Sequence, residues 1–240
     1  MENDIYTPSS GAQAPPHCAA FQAKSIVEET IYLYNWVGLH GTLIVARMYY
    51  DLLVRRFNKR FIERLFTLEP LLRRTQAVAA AISSEASLLL TPRQDGIFAS
   101  LWQLSSMTRL GLDVDLLKLP IRQETVEICD FFDINPYELD TQGCLILVAK
   151  HPQQLCDRLL QAVPPAVEAA PLSASLETLG APPLSAPLTA VGAAPLSAPL
   201  AAVGTLTPQQ TKILRRRDGI QYLNRPSPNA LYRIVCTHPL

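Results

Sequence analysis

The sequence predicts an α/β or α+β chain, and three observations carry that reading. A continuous apolar run, Cys144 to Ala149, has the composition of a strand buried on both faces. Leu112, Val114 and Leu116 alternate with Asp113 and Asp115, the period of a half-buried strand. Stretches with apolar residues at helical spacing separate these and other strand candidates.

Taken in order, residues 1–24 read as a flexible tail rich in Pro, Ser, Ala and Gly. Thr30 to Val37 is β-branched and aromatic and suits a strand, punctuated by Gly38 and Gly41. Thr42 to Phe57 carries a helical stripe of Val45, Met48, Tyr49, Leu52 and Leu53. Asn58 is the expected N-cap of a helix holding Phe61, Ile62, Leu65 and Phe66. Pro70 then restarts or kinks the chain before the helix Leu71 to Ile82.

Ala86 to Leu90 is a short apolar strand, ended by Thr91-Pro92. Ile97 to Leu110 reads as a helix, with Gly111 as its C′ residue. After the alternating strand, Pro120 precedes a helix from Arg122 to Phe131 with Val126 and Cys129 spaced for burial. Asn135-Pro136 is a turn and Gly143 opens the doubly buried strand. Pro152 sits in the first turn of a helix reaching Val163, with Leu155, Leu159 and Leu160 inward.

Residues 168–179, 180–191 and 192–203 are three twelve-residue repeats, EAAPLSASLETL, GAPPLSAPLTAV and GAAPLSAPLAAV. Each unit is too short and too proline-rich to bury a face, so residues 164–201 are expected to be a disordered, partly polyproline-II insertion rather than a solenoid. Ala202 to Leu206 follows as a strand. Thr211 to Arg217 and Ile220 to Leu223 flank Asp218-Gly219, a two-residue hairpin signal. The tail from Arg225 is proline-spaced, with a short apolar stretch from Leu231 to Val235.

Composition sets limits on function. The chain has 240 residues, 48% hydrophobic and 18% charged, which permits a sizeable core. Its formal net charge of zero argues against a whole-protein pull toward nucleic acid or an anionic membrane. Five cysteines without a CxxC pair fit reduced thiols of a cytoplasmic protein better than a disulfide framework. The N-terminus has acidic residues and prolines where a signal peptide would be basic and then apolar, and no run of spanning length appears, so no membrane partner is expected.

Several segments carry more than pattern: NWVGLHGT (Asn35 to Thr42), DGIFASLWQL (Asp95 to Leu104), PIRQETVEICDFFDINPYEL (Pro120 to Leu139), QGCLILVA (Gln142 to Ala149) and VGTLT (Val203 to Thr207). Together they resemble the C-terminal domain of the aminoimidazole ribonucleotide (AIR) synthase-related superfamily. The likeness is nearest to its hydrogenase-maturation branch, whose best-known member is a carbamoyl dehydratase. It runs from about Ile26 to Ile234, interrupted by the repeats.

The resemblance implies a mixed sheet with helices packed on it, AIR synthase C-terminal-domain-like and partly ferredoxin-like in topology, over residues 25–163 and 202–236. It also implies that relatives carry an N-terminal domain that binds ATP and metal and mediates dimerisation. Only some 25 residues precede the matching stretch. No cofactor is therefore expected for this chain alone, with ATP and Mg entering only through a missing domain. The expected partner is a second copy or a separate ATP-binding domain protein.

Active relatives have a His-Asp-x-Thr-x-Gly-Gly-like segment at the strand-to-helix turn. Here that segment is Leu90-Thr91-Pro92-Arg93-Gln94-Asp95-Gly96. The acid/base and the metal-facing carboxylate are replaced, and a shared mechanism is not expected. What survives is a helix N-terminus at Gly96 beside Arg93, which together are the candidate anion-binding residues. Catalytic relatives also end in a Pro-Arg-Ile-Cys-like tail whose terminal Cys carries the carbamoyl group. Cys236 stands near the corresponding place, four residues before the end, and is the one catalytic candidate, weighed against an ordinary tail cysteine.

Other signals have plainer readings. His238 with Cys236, and His17 with Cys18, are too sparse for a zinc site, and no metal is expected. Lys212, Arg215, Arg216 and Arg217 form a basic hairpin, read as a solvated ribbon in preference to a nucleic-acid contact. Arg47, Arg55, Arg56, Lys59, Arg60 and Arg64 form a basic band, which either meets phosphate or an acidic partner or is the wet face of amphipathic helices. Glu124 and Glu127 are spaced to meet one cation or simply favour a helix N-terminus. The favoured reading is a degenerate, stand-alone binding or assembly module that is not catalytic alone. The alternatives are half of a split ATP-dependent enzyme and a basic-hairpin nucleic-acid binder.

Overall fold

A computed structural model describes residues 26–162, 198–227 and 229–237. The expected tail at residues 1–24, residues 164–197 of the expected insertion, and His17, Cys18 and His238 lie outside these residues. Among the described residues seven strands form one mixed sheet: β1 Thr30–Tyr34, β2 Leu88–Leu90, β3 Gly111–Asp115, β4 Leu145–Ala149, β5 Leu200–Thr207, β6 Lys212–Arg216 and β7 Gly219–Tyr222. Their order is β2-β4-β1-β5-β3-β6-β7, and every neighbouring pair is antiparallel except β3 with β6. The helices are α1 Leu39–Met48, α2 Tyr50–Arg56, α3 Lys59–Phe66, α4 Glu69–Ile82, α5 Gly96–Thr108, α6 Gln123–Phe131, α7 Pro152–Ala162 and α8 Leu231–Thr237. The mixed sheet with packed helices is the architecture expected from the sequence.

The apolar run of β4 is buried throughout because both of its faces are covered. Ile146 and Val148 join Ile31, Leu33, Leu112, Val114 and Leu214 against Ile97, Leu101 and Leu104 of α5. Leu145 and Leu147 join Tyr32 and Tyr34 against Val78 and Ile82 of α4 and Leu155 and Leu159 of α7. A third cluster lies among α1, α2, α3, α6 and α8, where Leu43, Leu53, Ile62, Leu65, Ile128 and Ile234 meet. Each fully buried Leu or Ile contributes about 1.5–3 kcal/mol of transfer free energy.

The structure corrects several local expectations. β1 ends at Tyr34, not Val37, because Asn35 takes a left-handed φ of 75° and turns the chain. The single helix expected over Thr42 to Phe57 is two, broken at Tyr49, and Leu52 faces solvent. Gly111 is not a helix C′ residue. Arg109 takes the left-handed position at φ 57°, and Gly111 opens β3, where a Cβ would lie 1.8 Å from the Gln209 carbonyl oxygen. In α6 the buried arc is Glu124, Thr125, Ile128 and Cys129, so Val126 is exposed. The hairpin register pairs Arg216 with Gly219, which makes Arg217-Asp218 the turn rather than Asp218-Gly219. The apolar stretch near the C-terminus forms α8. Asn58 caps α3 as expected, its side chain accepting from the Arg60 N–H.

Candidate functional site

Four of the five segments that carry the resemblance, all but Val203 to Thr207, meet at one corner, through glycines that admit close backbone approach. A Cβ on Gly41 would lie 2.5 Å from Leu139 Cγ, and one on Gly96 2.5 Å from the Tyr137 carbonyl oxygen. Asn35 secures the corner from inside: its Nδ2 donates to Gly143 O at 2.7 Å and Leu71 O at 3.3 Å, and its Oδ1 accepts from Trp36 N–H at 2.9 Å. Thr75 Oγ1 donates to the same Gly143 oxygen at 2.7 Å. Thr42 Oγ1 donates to Gly38 O at 2.7 Å and lies 3.0 Å from Thr125 Oγ1, joining α1 to α6.

Beside this corner is a cleft of about 630 Å³, bounded by α1, α4, the turn after β2 and the loop before β4. His40, Glu69, Arg73, Gln76, Thr91 and Gln142 supply its polar wall. His40 Nδ1 lies 3.0 Å from Asp140 Oδ2. Asp140 is buried, and its carboxylate also accepts from Gln142 N at 2.9 Å and Gln142 Nε2 at 3.2 Å. The hydrogen bond that the imidazole donates to Asp140 raises His40 above its ordinary value, while partial burial pulls the other way. Across the cleft Glu69 is held below the ordinary carboxylate range by its hydrogen bond to Arg73, with Arg47 adding to the effect.

Cys144 also lines this cleft, which sets an imidazole, a carboxylate and a thiol around one space. The thiol is no nucleophile. It is buried, its Sγ donates to Tyr34 O at 3.0 Å, and burial pushes its pKa up to about 12. The cleft can hold a polar ligand and exchange a proton at His40, and it offers no activated nucleophile.

The turn expected to bear on catalysis borders the same cleft. Leu90 is a core residue packed with the α5 cluster, Thr91 is exposed at the rim, and Pro92 is buried. Arg93 is exposed and Gly96 buried beneath the 3₁₀ turn Pro136–Glu138, so the two anion-binding candidates do not share an open surface. Asp95 occupies the N-cap position of α5. Cys236 lies in α8, and its side chain is outside the described residues.

Several of the remaining charges are paired. Burial pushes the Glu124 carboxyl up, but paired hydrogen bonds from Arg122 at 2.9 and 2.8 Å and the nearby Arg64 outweigh it and leave it below the usual range. Glu127 instead meets Gln123 at 3.5 Å, so the two glutamates do not share a cation. No group of three or more His, Cys, Asp or Glu among the described residues is placed to hold a metal ion. In the basic band, Arg47 pairs with Glu69, Lys59 with Glu63 and Arg64 with Glu124. On the hairpin, Arg215 binds Asp113 through both its Nε and Nη2 atoms, and Lys212 Nζ sits 4.4 Å from the Trp102 ring centroid. Among the described residues no helix is long and apolar enough to cross a membrane.

His40 lies within NWVGLHGT, and Asp140 falls just after the segment that ends at Leu139. A histidine between two glycines in NWVGLHGT is the available signal, but its partner lies a hundred residues away.

No family model matches the chain. Among curated proteins, the carbamoyl dehydratase HypE of Rhizobium leguminosarum bv. viciae is 27% identical over 103 residues, 43% of this chain and 28% of that protein. Among solved structures, HypE of E. coli aligns with a TM-score of 0.54 at 14% identity, over 89% of this chain and 55% of that one. A chain of a HypE-HypF complex aligns with a TM-score of 0.51 at 14% identity, over 83% and 53%. HypE in complex with ATP aligns at 0.52 and 13%, over 87% and 53%. The chain spans about half the length of the solved structures it matches. The fold is that of these hydrogenase-maturation proteins, as the resemblance implies, and the likeness in sequence is to the carbamoyl dehydratase HypE.

Proposed function

We propose that this chain is a hydrogenase-maturation-type AIR synthase-related domain that works as a binding or assembly module, without turning over a substrate through its own residues. One observation carries the reading: the turn from Leu90 to Gly96 has a core leucine where active relatives of the resemblance place a histidine, and its one carboxylate, Asp95, stands at the α5 N-terminus. The adjoining cleft adds His40 and Asp140, which can bind and orient, but its thiol is held protonated.

The structure of HypE with HypF supports a role in assembly with another protein. A separate ATP-binding subunit would supply nucleotide and Mg in the split-enzyme alternative, and the His40 cleft would then be this chain's share of the site. The nucleic-acid alternative is weakened by the hairpin itself, since Arg215 is neutralised by Asp113 and Lys212 is turned onto Trp102. A cytoplasmic location agrees with five cysteines and no CxxC pair.

The test is steady-state ATP hydrolysis by the purified chain, compared with His40→Ala. The module reading predicts no turnover above buffer in either protein. Turnover by the unsubstituted chain that His40→Ala abolishes contradicts it.

A further inference from the structure

Among the described residues the edge of the sheet beyond β6 is β7, which pairs with β6 alone. The pairs Arg216 with Gly219 and Leu214 with Gln221, and the bond from Leu223 N–H to Lys212 O at 2.9 Å, turn the backbones of Gly219, Gln221 and Leu223 toward β6. Ile220 and Tyr222 therefore point their N–H and C=O groups outward along the open edge. Their side chains lie on the face away from buried Leu214 and are 59% and 63% exposed. An outward apolar pair on an unpaired edge is a template for strand addition.

On the other face the strand borders a cavity of about 160 Å³ that includes Arg216, Gln221 and Arg225, with Asp95 and Glu138 in the same wall. Glu138 is already engaged, its Oε1 accepting from Asn135 Nδ2 at 3.3 Å and its Oε2 lying 3.5 Å from Arg233. Arg216, Arg217 and Arg225 have no ion pair among the described residues, in contrast to Arg215. The edge is thus apolar at its centre, with Arg225 at one end and Arg216 and Arg217 beside Asp218 at the other.

We propose that an extended, acidic segment of a partner protein adds to β7 as an eighth, antiparallel strand. Its apolar side chains cover Ile220 and Tyr222, and its carboxylates meet Arg217 and Arg225 at the ends and Arg216 in the cavity. A second copy of this chain fits less well. The two-fold register that bonds Ile220 of one copy to Tyr222 of the other sets Arg217 directly against Arg225, twice by symmetry, and like charges directly opposite are destabilising. The inference rests on the reading of the chain as a binding module but uses none of the His40 cleft, so loss of strand addition and gain of ATP turnover are separate outcomes.

The probe is a fluorescein-labelled peptide, Glu-Val-Thr-Val-Glu-Ile-Thr-Val-Glu, read by fluorescence anisotropy at low salt, beside its counterpart with lysine at the three glutamates. Saturable binding of the acidic peptide is expected, with the Ile220 and Tyr222 amides protected from hydrogen exchange in the complex. Tyr222→Pro removes an outward N–H and spares the β6 bonds, and it should weaken binding about tenfold or more. The charge reversal Arg217→Glu with Arg225→Glu should do the same through electrostatics, without touching the strand backbone. The proposal is overturned by no saturable binding, by equal binding of the lysine peptide, or by charge-reversed protein that binds as well as the original. It is also overturned by a dimer in sedimentation that Tyr222→Pro dissolves, which would give the edge to a second copy.

Discussion

His40 and Asp140, a hundred residues apart in the chain, meet with Nδ1 and Oδ2 3.0 Å apart and tie the start of α1 to the loop before β4. The contact makes stability depend on pH with a definite sign. The folded-state value of His40 is raised above its ordinary 6.5, so the protonated form is favoured in the fold. Its contribution is fully present below the ordinary value and is lost as pH rises through the raised folded value. The melting-temperature difference between the protein and His40→Gln should therefore be larger near about pH 5.5 than near about pH 8.5. Asp140→Asn should remove most of that dependence.

Asn35 combines a left-handed backbone with side-chain bonds to Gly143 O, Leu71 O and Trp36 N–H. Asn35→Ala keeps the unfavourable φ and loses the bonds, and should cost about 2–4 kcal/mol in urea unfolding with little change in slope. Asn35→Gly also loses the bonds but accepts the backbone, so it should cost less.

Two glycines separate crowding from backbone geometry. Gly111→Ala would put a Cβ 1.8 Å from Gln209 O and 2.3 Å from Thr211 O, both backbone atoms, and should cost more than about 3 kcal/mol or abolish soluble expression. Gly219 has open space around it but φ 150°, so Gly219→Ala should cost only about 1–2 kcal/mol.

The thiols divide by burial. Burial pushes Cys129 and Cys144 each up to about 12, whereas Cys156 is exposed. Brief iodoacetamide treatment of the native protein at neutral pH, followed by peptide mass spectrometry, should label Cys156 and leave Cys129 and Cys144 unlabelled. Labelling of Cys144 in folded protein would contradict the account of the cleft as one without a nucleophile.

The sheet was legible where the period of the sequence matched its burial. Cys144 to Ala149 reads as doubly buried, and the covered faces of β4 explain why. Short-range chemistry was legible as well, as with Asn58 capping α3. What misled was context beyond the local window. Nothing near Gly111 announces that the Gln209 and Thr211 carbonyls crowd it, so the glycine looked like a helix terminator. Val126 and Thr125 sit side by side, and only the packing of α6 on α1 through Thr42 shows that the threonine is inward. The cleft was the least legible, since its central pair joins distant segments. The turn from Leu90 to Gly96 borders that cleft, but its neighbour His40 emerges only from the fold.

The central claim is that this chain's own residues bind without catalysing and hold no nucleotide. Isothermal titration of the purified chain with ATP and Mg tests it most directly. The account predicts no saturable heat at nucleotide concentrations up to about 1 mM, a standard free energy of about −4 kcal/mol. Saturable binding in the micromolar range, weakened by His40→Ala, would contradict it.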